Sequence, residues 1–235
     1  MSTSVPAEAP APSFVSSLGN LLIAPREAFT GILRKPSPWL PLLLYIGLQL
    51  VFTAVWTSKL DIMAFVTAQS EEAGRPAPPA QALPFIKGMF WAGPLLFVPI
   101  AFFLMALGLW VIYRFFYGSD VTYKISMTIC AWTSLITSIV TMPLILLTMV
   151  LKGDWQVDPR TALAANLGAL LDKATTAKWL FALAGSLDLV SIWIVFLLAT
   201  GFAVAIRKST GSALWGVVVP WLLFVLIGVA WAAIF

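Results

Sequence analysis

Long apolar runs alternate with short polar segments along most of the 235-residue chain. Several of these runs reach the roughly 20 consecutive apolar residues that a helix needs to cross a bilayer. The pattern predicts an all-α polytopic membrane protein, built as a bundle of five transmembrane helices. The predicted spans cover residues 39–58, 89–116, 125–151, 183–206 and 213–235, within a transmembrane domain at residues 38–235.

Prolines, aromatic residues and one loop predict further features of the five-span bundle. Pro94 and Pro99 predict a bend in the second span. Aromatic residues near the span ends, among them Trp56 and Tyr113, favour positions in the head-group belts of the membrane. In the loop after the third span, Asp158 can cap a short amphipathic helix. The leucine stripe of that helix comprises Leu163, Leu167, Leu170 and Leu171.

The chain before the first span divides into two parts. Residues 1–12 are mainly Pro, Ala and Ser, a composition that predicts a disordered tail. Residues 13–37 combine apolar residues at helical spacing, basic residues and a helix restart at Pro25, which is typical of an amphipathic segment in the membrane interface. The alternative is a helix packed on the cytoplasmic end of the bundle. The apolar residues are Phe14, Leu18, Leu21 and Leu22, and the basic residues are Arg26, Arg34 and Lys35.

Amino-acid composition limits the partners and the kinds of catalytic or metal site that the chain can have. Hydrophobic residues make up 60% of the chain and charged residues 10%, whereas a soluble domain carries about 25% charged residues. The net charge of +4 is spread over loops, which favours anionic lipid over nucleic acid as a partner. The chain has no histidine and a single cysteine, Cys130, so Ser-His-Asp catalysis, thiolate metal sites and an internal disulfide are excluded. We therefore expect neither an enzyme nor a cofactor.

One acidic residue, Asp188, lies inside the fourth predicted span. A charge at the centre of a membrane helix costs roughly 2.5–3.5 kcal/mol. Arg207 and Lys208 anchor the inner end of this span, and counting back about 20 residues places Asp188 in the outer part of the membrane. Asp188 is therefore predicted to be a polar anchor beside Ser186 and Ser191.

The third predicted span carries a row of hydroxyl groups. Thr133, Thr137 and Thr141 are four residues apart and share one helical face, with Ser134 and Ser138 beside them. Such a face either packs against a partner helix or lines a polar path through the membrane. The candidate polar intramembrane site comprises Asp188, Ser186, Ser191, Thr133, Thr137 and Thr141.

Basic residues suggest an orientation. A five-span topology divides the Lys and Arg residues equally between the two sides, so their total does not decide the orientation. Two tight turns decide it, because basic residues close to span ends are usually cytoplasmic. They contain Arg114, Lys124, Arg207 and Lys208. We expect the N-terminus in the cytoplasm and the C-terminus outside.

Several short motifs of the chain resemble the Yip1 family. Pro25 and Phe29 stand before the first span, Thr122-Tyr123-Lys124 opens the third, and Ser186-Leu187-Asp188-Leu189 leads into Ser191-Ile192-Trp193, followed by Leu197 and Gly201. The residues that carry the resemblance are Pro25, Phe29, Tyr123, Lys124, Asp188, Trp193 and Gly201. The resemblance implies five spans and a cytoplasmic N-terminus. Eukaryotic members are linked to vesicle traffic and Rab-type GTPases, but their Asp-Leu-Tyr-Gly-Pro-Phe-Trp segment is absent, so the chain is more similar to bacterial members.

Two functional hypotheses follow. The first is a non-catalytic protein of a bacterial inner membrane that acts in membrane organisation or trafficking-like roles. Its expected partners are membrane lipids, a membrane protein or a second copy of the chain. The alternative is a small transporter or channel, in which Asp188 binds a proton or cation and the Ser and Thr residues line the route. An intramembrane enzyme is disfavoured, because the spans contain no histidine and no paired carboxylates.

Overall fold

A computed structural model describes residues 13–163, 165–172 and 175–234. The predicted tail at residues 1–12 lies outside the described residues. The described chain begins with two short helices, α1 (Phe14–Ile23) and α2 (Pro25–Ile32). The hydroxyl of Ser13 caps α1 by accepting a hydrogen bond from the Ser16 amide (3.2 Å), and Pro25 occupies the first turn of α2.

Four helices of the described chain are long and apolar enough to cross a membrane, which makes this a polytopic all-helical membrane protein. The first is α3 (Trp39–Lys59), and the shorter helix α4 (Ile62–Glu72) comes after it. The second is a composite of α5 (Leu83–Ala92) and α6 (Val98–Val111) with flanking turns, and it covers Ala80–Phe116. The third is α7 (Tyr123–Lys152) and the last, α10, covers Thr210–Ile234.

The composite helix widens where proline interrupts its hydrogen-bond pattern. A 3₁₀ turn at Ala80–Ala82 leads into α5, and a π-helical turn at Gly93–Phe97 joins α5 to α6. Pro94 lies within that turn. Because proline has no amide hydrogen, it leaves a carbonyl of the preceding turn unbonded, and the helix widens there. A second π-helical turn, Ile112–Phe116, ends the composite helix.

The fourth predicted span is wrong as a single helix over 183–206. The structure has two helices here, α8 (Lys178–Ser186) and α9 (Leu189–Ala205), which are separated at Leu187 and Asp188. At 1.5 Å per residue, the 17 residues of α9 are about 25 Å long, which is less than a hydrocarbon core of about 30 Å. The predicted amphipathic helix after Asp158 is also wrong, because this loop forms turns and a 3₁₀ segment at Leu167–Leu170.

The principal core surrounds α7, which contacts α1, α3, α6 and α9. In turn α9 contacts α2 and α10. Side chains without solvent exposure fill the spaces between these helices and join the two N-terminal helices to the bundle. They include Leu21, Phe29, Tyr113, Ile129, Leu197 and Phe202.

A second, smaller core closes the opposite end of the bundle. The Trp56 ring lies edge-on to Phe65, with 5.4 Å between ring centroids, and its Nε1 donates to the Trp155 carbonyl (3.1 Å). At the end of the bundle that holds the turn between α9 and α10, Arg26 donates to the Lys208 carbonyl (3.2 Å), so α2 is joined to that turn. Trp56 and Tyr113 are both buried, so their rings contact neighbouring helices.

Candidate functional site

Asp188 lies at the break between α8 and α9. Its backbone is extended, and its carboxylate accepts a hydrogen bond from the Ser191 amide (2.9 Å), so Asp188 is the N-cap of α9. A carboxylate at this end of a helix also complements the helix dipole. The predicted position of this charge within a continuous helix is therefore corrected: the half-buried carboxylate satisfies one of the free amides at the start of α9.

The segment at residues 165–168 holds this break in place. The Leu167 amide donates to the Leu187 carbonyl (3.3 Å), and the Leu189 amide donates to the Ala165 carbonyl (3.2 Å). Asn166 and Asp188 thus form an isolated antiparallel bridge. Next to it, a β-carbon on Gly168 would lie 3.1 Å from the backbone nitrogen of Gly185, so only glycine permits this contact without movement.

A cavity of about 200 Å³ adjoins the break. Asp188 and Thr141 both line it, so two members of the predicted site are brought together. Asn166 and Arg160 line it as well, and neither was predicted. Within the described chain, no group of three or more His, Cys, Asp or Glu residues could hold a metal ion.

Arg160 is engaged with a neighbouring carboxylate. Its Nη2 lies 2.5 Å from Oδ2 of Asp158, and its amide donates to Oδ1 of the same side chain (2.9 Å). Burial alone would raise the pKa of Asp158, but the hydrogen bonds and charge of Arg160 outweigh burial and lower this pKa below its usual value. The same carboxylate raises the pKa of Arg160. The positive charge at this cavity is thus largely neutralised by Asp158.

Other hydroxyls of α7 line a different cavity. Thr133, Ser134, Thr137 and Ser138 face a space of about 280 Å³ between α3, α6, α7 and α9. Its described lining shares no residue with that of the cavity at Asp188. Ser186 and Ser191 are found in neither described lining, and the Ser186 hydroxyl donates to the Ala182 carbonyl (2.8 Å). The six predicted residues therefore do not form one site: two line each cavity, and Ser186 and Ser191 line neither.

A buried tyrosine joins the composite helix to α10. The Tyr113 hydroxyl donates to the Ala213 carbonyl (2.5 Å), and its ring stacks on Phe202 with centroids 4.0 Å apart. A β-carbon on Gly216 would lie 2.7 Å from the Tyr113 ring, so a larger residue is excluded there. Sequence patterns did not identify this contact, because its partners are about 100 residues apart.

Comparison with known protein families assigns the chain to one of them. The Yip1 domain model matches residues 19–232, from the middle of α1 into α10. The chain belongs to the Yip1 family. Yip1 family proteins are non-catalytic membrane trafficking proteins. No curated protein and no solved structure matches the chain.

Several residues that carry the Yip1 resemblance meet in the core. A β-carbon on Gly201 would lie 3.2 Å from the Phe29 ring, so α2 and α9 touch at these two residues. The Tyr123 hydroxyl donates to the Phe103 carbonyl (3.2 Å) and joins the start of α7 to α6. Trp193 is half-buried against the principal core. The positions of these Yip1 residues are those of helix contacts rather than of a reactive centre.

Proposed function

We propose that this Yip1-domain protein acts without catalysis, by organising membranes through lipid and helix contacts at its N-terminal helix pair. The observation that carries the proposal is the unequal use of the faces of α1. With 3.6 residues per turn, α1 presents three faces, and each has a different composition and exposure.

The first face of α1 is anchored in the protein. Ser17 and Leu21 are buried, and the Phe14 ring lies 4.8 Å from the Trp132 ring of α7. The adjoining α2 buries Phe29 and Ile32. This packing holds α1 at a fixed place on the bundle, because its inward residues belong to the same core as α7 and α9.

The second face is apolar and exposed. Val15 is 76% exposed and Leu22 is 51% exposed, although burying a side chain of this kind is worth about 1.5–3 kcal/mol. The third face carries exposed Ser16 and Asn20. An apolar side next to a polar side is what a helix at the boundary between lipid and water requires, so we assign the second face to lipid.

Basic residues extend the lipid-facing surface. Arg26, Arg34 and Lys35 are exposed around α2 and its C-terminal end. Each basic residue near an anionic membrane surface contributes about 1 kcal/mol to binding. We infer that the N-terminal helix pair rests on anionic lipid at the side that also holds the turn between α9 and α10.

The proposed topology has five crossings. In it, α3, the composite helix, α7, the α8–α9 pair and α10 each cross once, and the break at Asp188 belongs to the fourth crossing. Contacts of Arg26 with the Lys208 carbonyl and of Tyr117 with the Ser212 carbonyl support one shared end for the N-terminal helices and both basic turns. We place this end in the cytoplasm and the protein in a bacterial inner membrane.

Site-directed fluorescence quenching tests the proposal. Single Leu22→Cys and Asn20→Cys variants are labelled with an environment-sensitive dye; the buried Cys130 of the unsubstituted chain provides the labelling control. The proteins are reconstituted in vesicles that contain anionic lipid. Lipids brominated on their acyl chains should quench the dye at position 22, and aqueous iodide should quench it at position 20. Equal iodide quenching at both positions would overturn the proposal.

A photoreactive residue at position 22, used in native membranes, then identifies what the apolar exposed face of α1 contacts. Lipid adducts at position 22 and few at position 20 are the expected result. A protein adduct that dominates at position 22 would contradict lipid contact and would indicate a protein interface at this face instead.

A further inference from the structure

The threonine hydroxyls of α7 fall into two groups. Those of Thr128, Thr141 and Thr148 donate to the carbonyl four residues earlier, at 2.8–2.9 Å, as threonine usually does in a membrane helix. Thr133 and Thr137 differ. Their Oγ1 atoms are buried and, within the described chain, have no hydrogen-bond partner.

These two unpartnered hydroxyls line the same cavity. Thr133 is 2% exposed and Thr137 is 8% exposed, and both belong to the wall of the 280 Å³ space between α3, α6, α7 and α9. A buried hydroxyl without a partner is costly, so native proteins rarely retain one unless a ligand or water completes it. Thr200 has the third such hydroxyl of the described residues, but it lies in the wall of neither cavity described above.

The other walls of the cavity restrict what it can bind. Its remaining surface is mostly apolar, from residues such as Phe102 and Leu198, and none of its described lining residues is charged. An ionic head group would therefore enter without a counter-charge, which is strongly unfavourable in a membrane interior. Exposed Ala101 and Met105 lie on the side of α6 that borders the cavity. This arrangement permits entry from the lipid phase.

We propose that this cavity binds the uncharged, hydroxyl-bearing head of a neutral glycerolipid such as a diacylglycerol. The head group would exchange hydrogen bonds with Thr133 and Thr137, since a hydroxyl both donates and accepts. A volume of about 280 Å³ is slightly below the usual range of ligand sites, about 300–1,000 Å³. It accommodates a head group and not a whole lipid, so the acyl chains remain in the bilayer beside Ala101 and Met105.

Photolabelling in vesicles tests the proposal. The probes are a diacylglycerol and a phosphatidylcholine that carry the same photoreactive acyl chain, and labelled peptides are identified by mass spectrometry. The diacylglycerol probe should label the segments of α6 and α7 around the cavity, and unlabelled diacylglycerol should compete. Free glycerol should not compete, because the site takes its ligand from the lipid phase. Equal labelling of these segments by both probes, or competition by glycerol alone, would refute a neutral-lipid site.

Matched variants locate the binding groups. The double variant Thr133→Val with Thr137→Val preserves side-chain shape and should reduce labelling about tenfold, for the loss of two hydrogen bonds. Thr200→Val removes an unpartnered hydroxyl elsewhere and should leave labelling unchanged. Equal labelling of the double variant and of Thr200→Val would overturn the assignment of the binding groups. If the double variant does not fold, Ala101→Trp at the exposed mouth must block labelling, and unchanged labelling of that variant also refutes the site.

Discussion

Phe29 and Gly201 are in contact across the interface of α2 and α9. A β-carbon at position 201 would lie 3.2 Å from two atoms of the Phe29 ring and only 2.5 Å from Cγ2 of Ile129. Phe29 and Ile129 belong to the principal core, and Gly201 is buried beside them where α2, α7 and α9 converge. The absence of a side chain at Gly201 therefore allows the N-terminal helix pair to dock on the bundle.

Replacement of Gly201 by alanine should destabilise the protein. Ile129 and Phe29 have no exposed surface into which they could move, and overpacking of a core typically costs 1–3 kcal/mol. We expect a lower thermal midpoint in detergent and faster proteolysis between α2 and α3. The control is Gly108→Ala, since a β-carbon there meets nothing within 4 Å. That variant should be neutral or slightly stabilised, and equal losses in both variants would contradict the packing argument.

The hydroxyl of Tyr113 should contribute measurably to stability. Tyr113→Phe keeps the ring that stacks on Phe202 and removes only the hydrogen bond to the Ala213 carbonyl. A buried hydrogen bond of this kind contributes about 0.5–1.5 kcal/mol. Chemical unfolding in a mild detergent should show this loss. Tyr117→Phe is the control, because its bond to the Ser212 carbonyl is exposed and water replaces it; an equal loss in both variants would count against a special role for Tyr113.

Sequence periodicity predicted the long helices because each is a local property of a continuous apolar run. It could not predict the contacts of Gly201 and Tyr113, which join positions roughly 70 to 170 residues apart along the chain. The break at Asp188 was also missed. Apolar residues continue on both sides of it, and hydropathy does not distinguish a helix interior from a cap that is stabilised by pairing with residues 165–167.

Substitutions of Asp188 distinguish a cap from an ion-binding residue. Asp188→Asn retains an oxygen that can accept from the Ser191 amide and should keep stability within a few tenths of a kcal/mol, whereas Asp188→Ala should lose about 1 kcal/mol. Asp61 provides a matched cap, since it accepts from the Ala64 amide (3.0 Å) at the start of α4. Thermal unfolding of Asn and Ala variants at both positions measures these differences.

Flux measurements on the same proteins test the transport alternative. Under the non-catalytic proposal, proteoliposomes with wild-type protein or with Asp188→Asn should show no proton or cation flux above that of protein-free vesicles. Flux in wild-type vesicles that the Asn substitution abolishes would instead support transport through Asp188. In that case the cap would coexist with an ion site at the cavity shared with Thr141.

The candidate site was only partly predictable for a related reason. Helical spacing correctly places Thr133, Thr137 and Thr141 on one face of α7, but it carries no information on what lies opposite that face. Opposite Thr141 are Asp188 and the loop that contains Asn166. Opposite the other two are apolar residues of α6 and α9. The loop conformation depends on long-range pairing with the break, so a local pattern could not specify it.

The pair of Asp158 and Arg160 should give the protein a stability term that depends on acidic pH. The pKa of Asp158 is lowered in the folded protein from its ordinary value of 3.8, so folding favours the ionised carboxylate. This stabilisation is fully present above pH 3.8 and is lost as the pH falls through the lower pKa of the folded state. Its size is small, below about 1 kcal/mol, because Arg160 is largely exposed and solvent screens the pair.

Thermal unfolding of wild type and Asp158→Asn, measured from about pH 3 to pH 6, checks this dependence. The midpoint of the wild type should exceed that of the variant above pH 3.8, and the two should converge as the wild-type carboxylate becomes protonated. Arg160→Gln is the control, because it removes the guanidinium hydrogen bonds and charge that lower the pKa of Asp158, while the backbone hydrogen bond remains, and it should shift the convergence to higher pH. A difference between wild type and Asp158→Asn that does not change with pH would show that the carboxylate acts through its shape and neutral hydrogen bonds, and not through its charge.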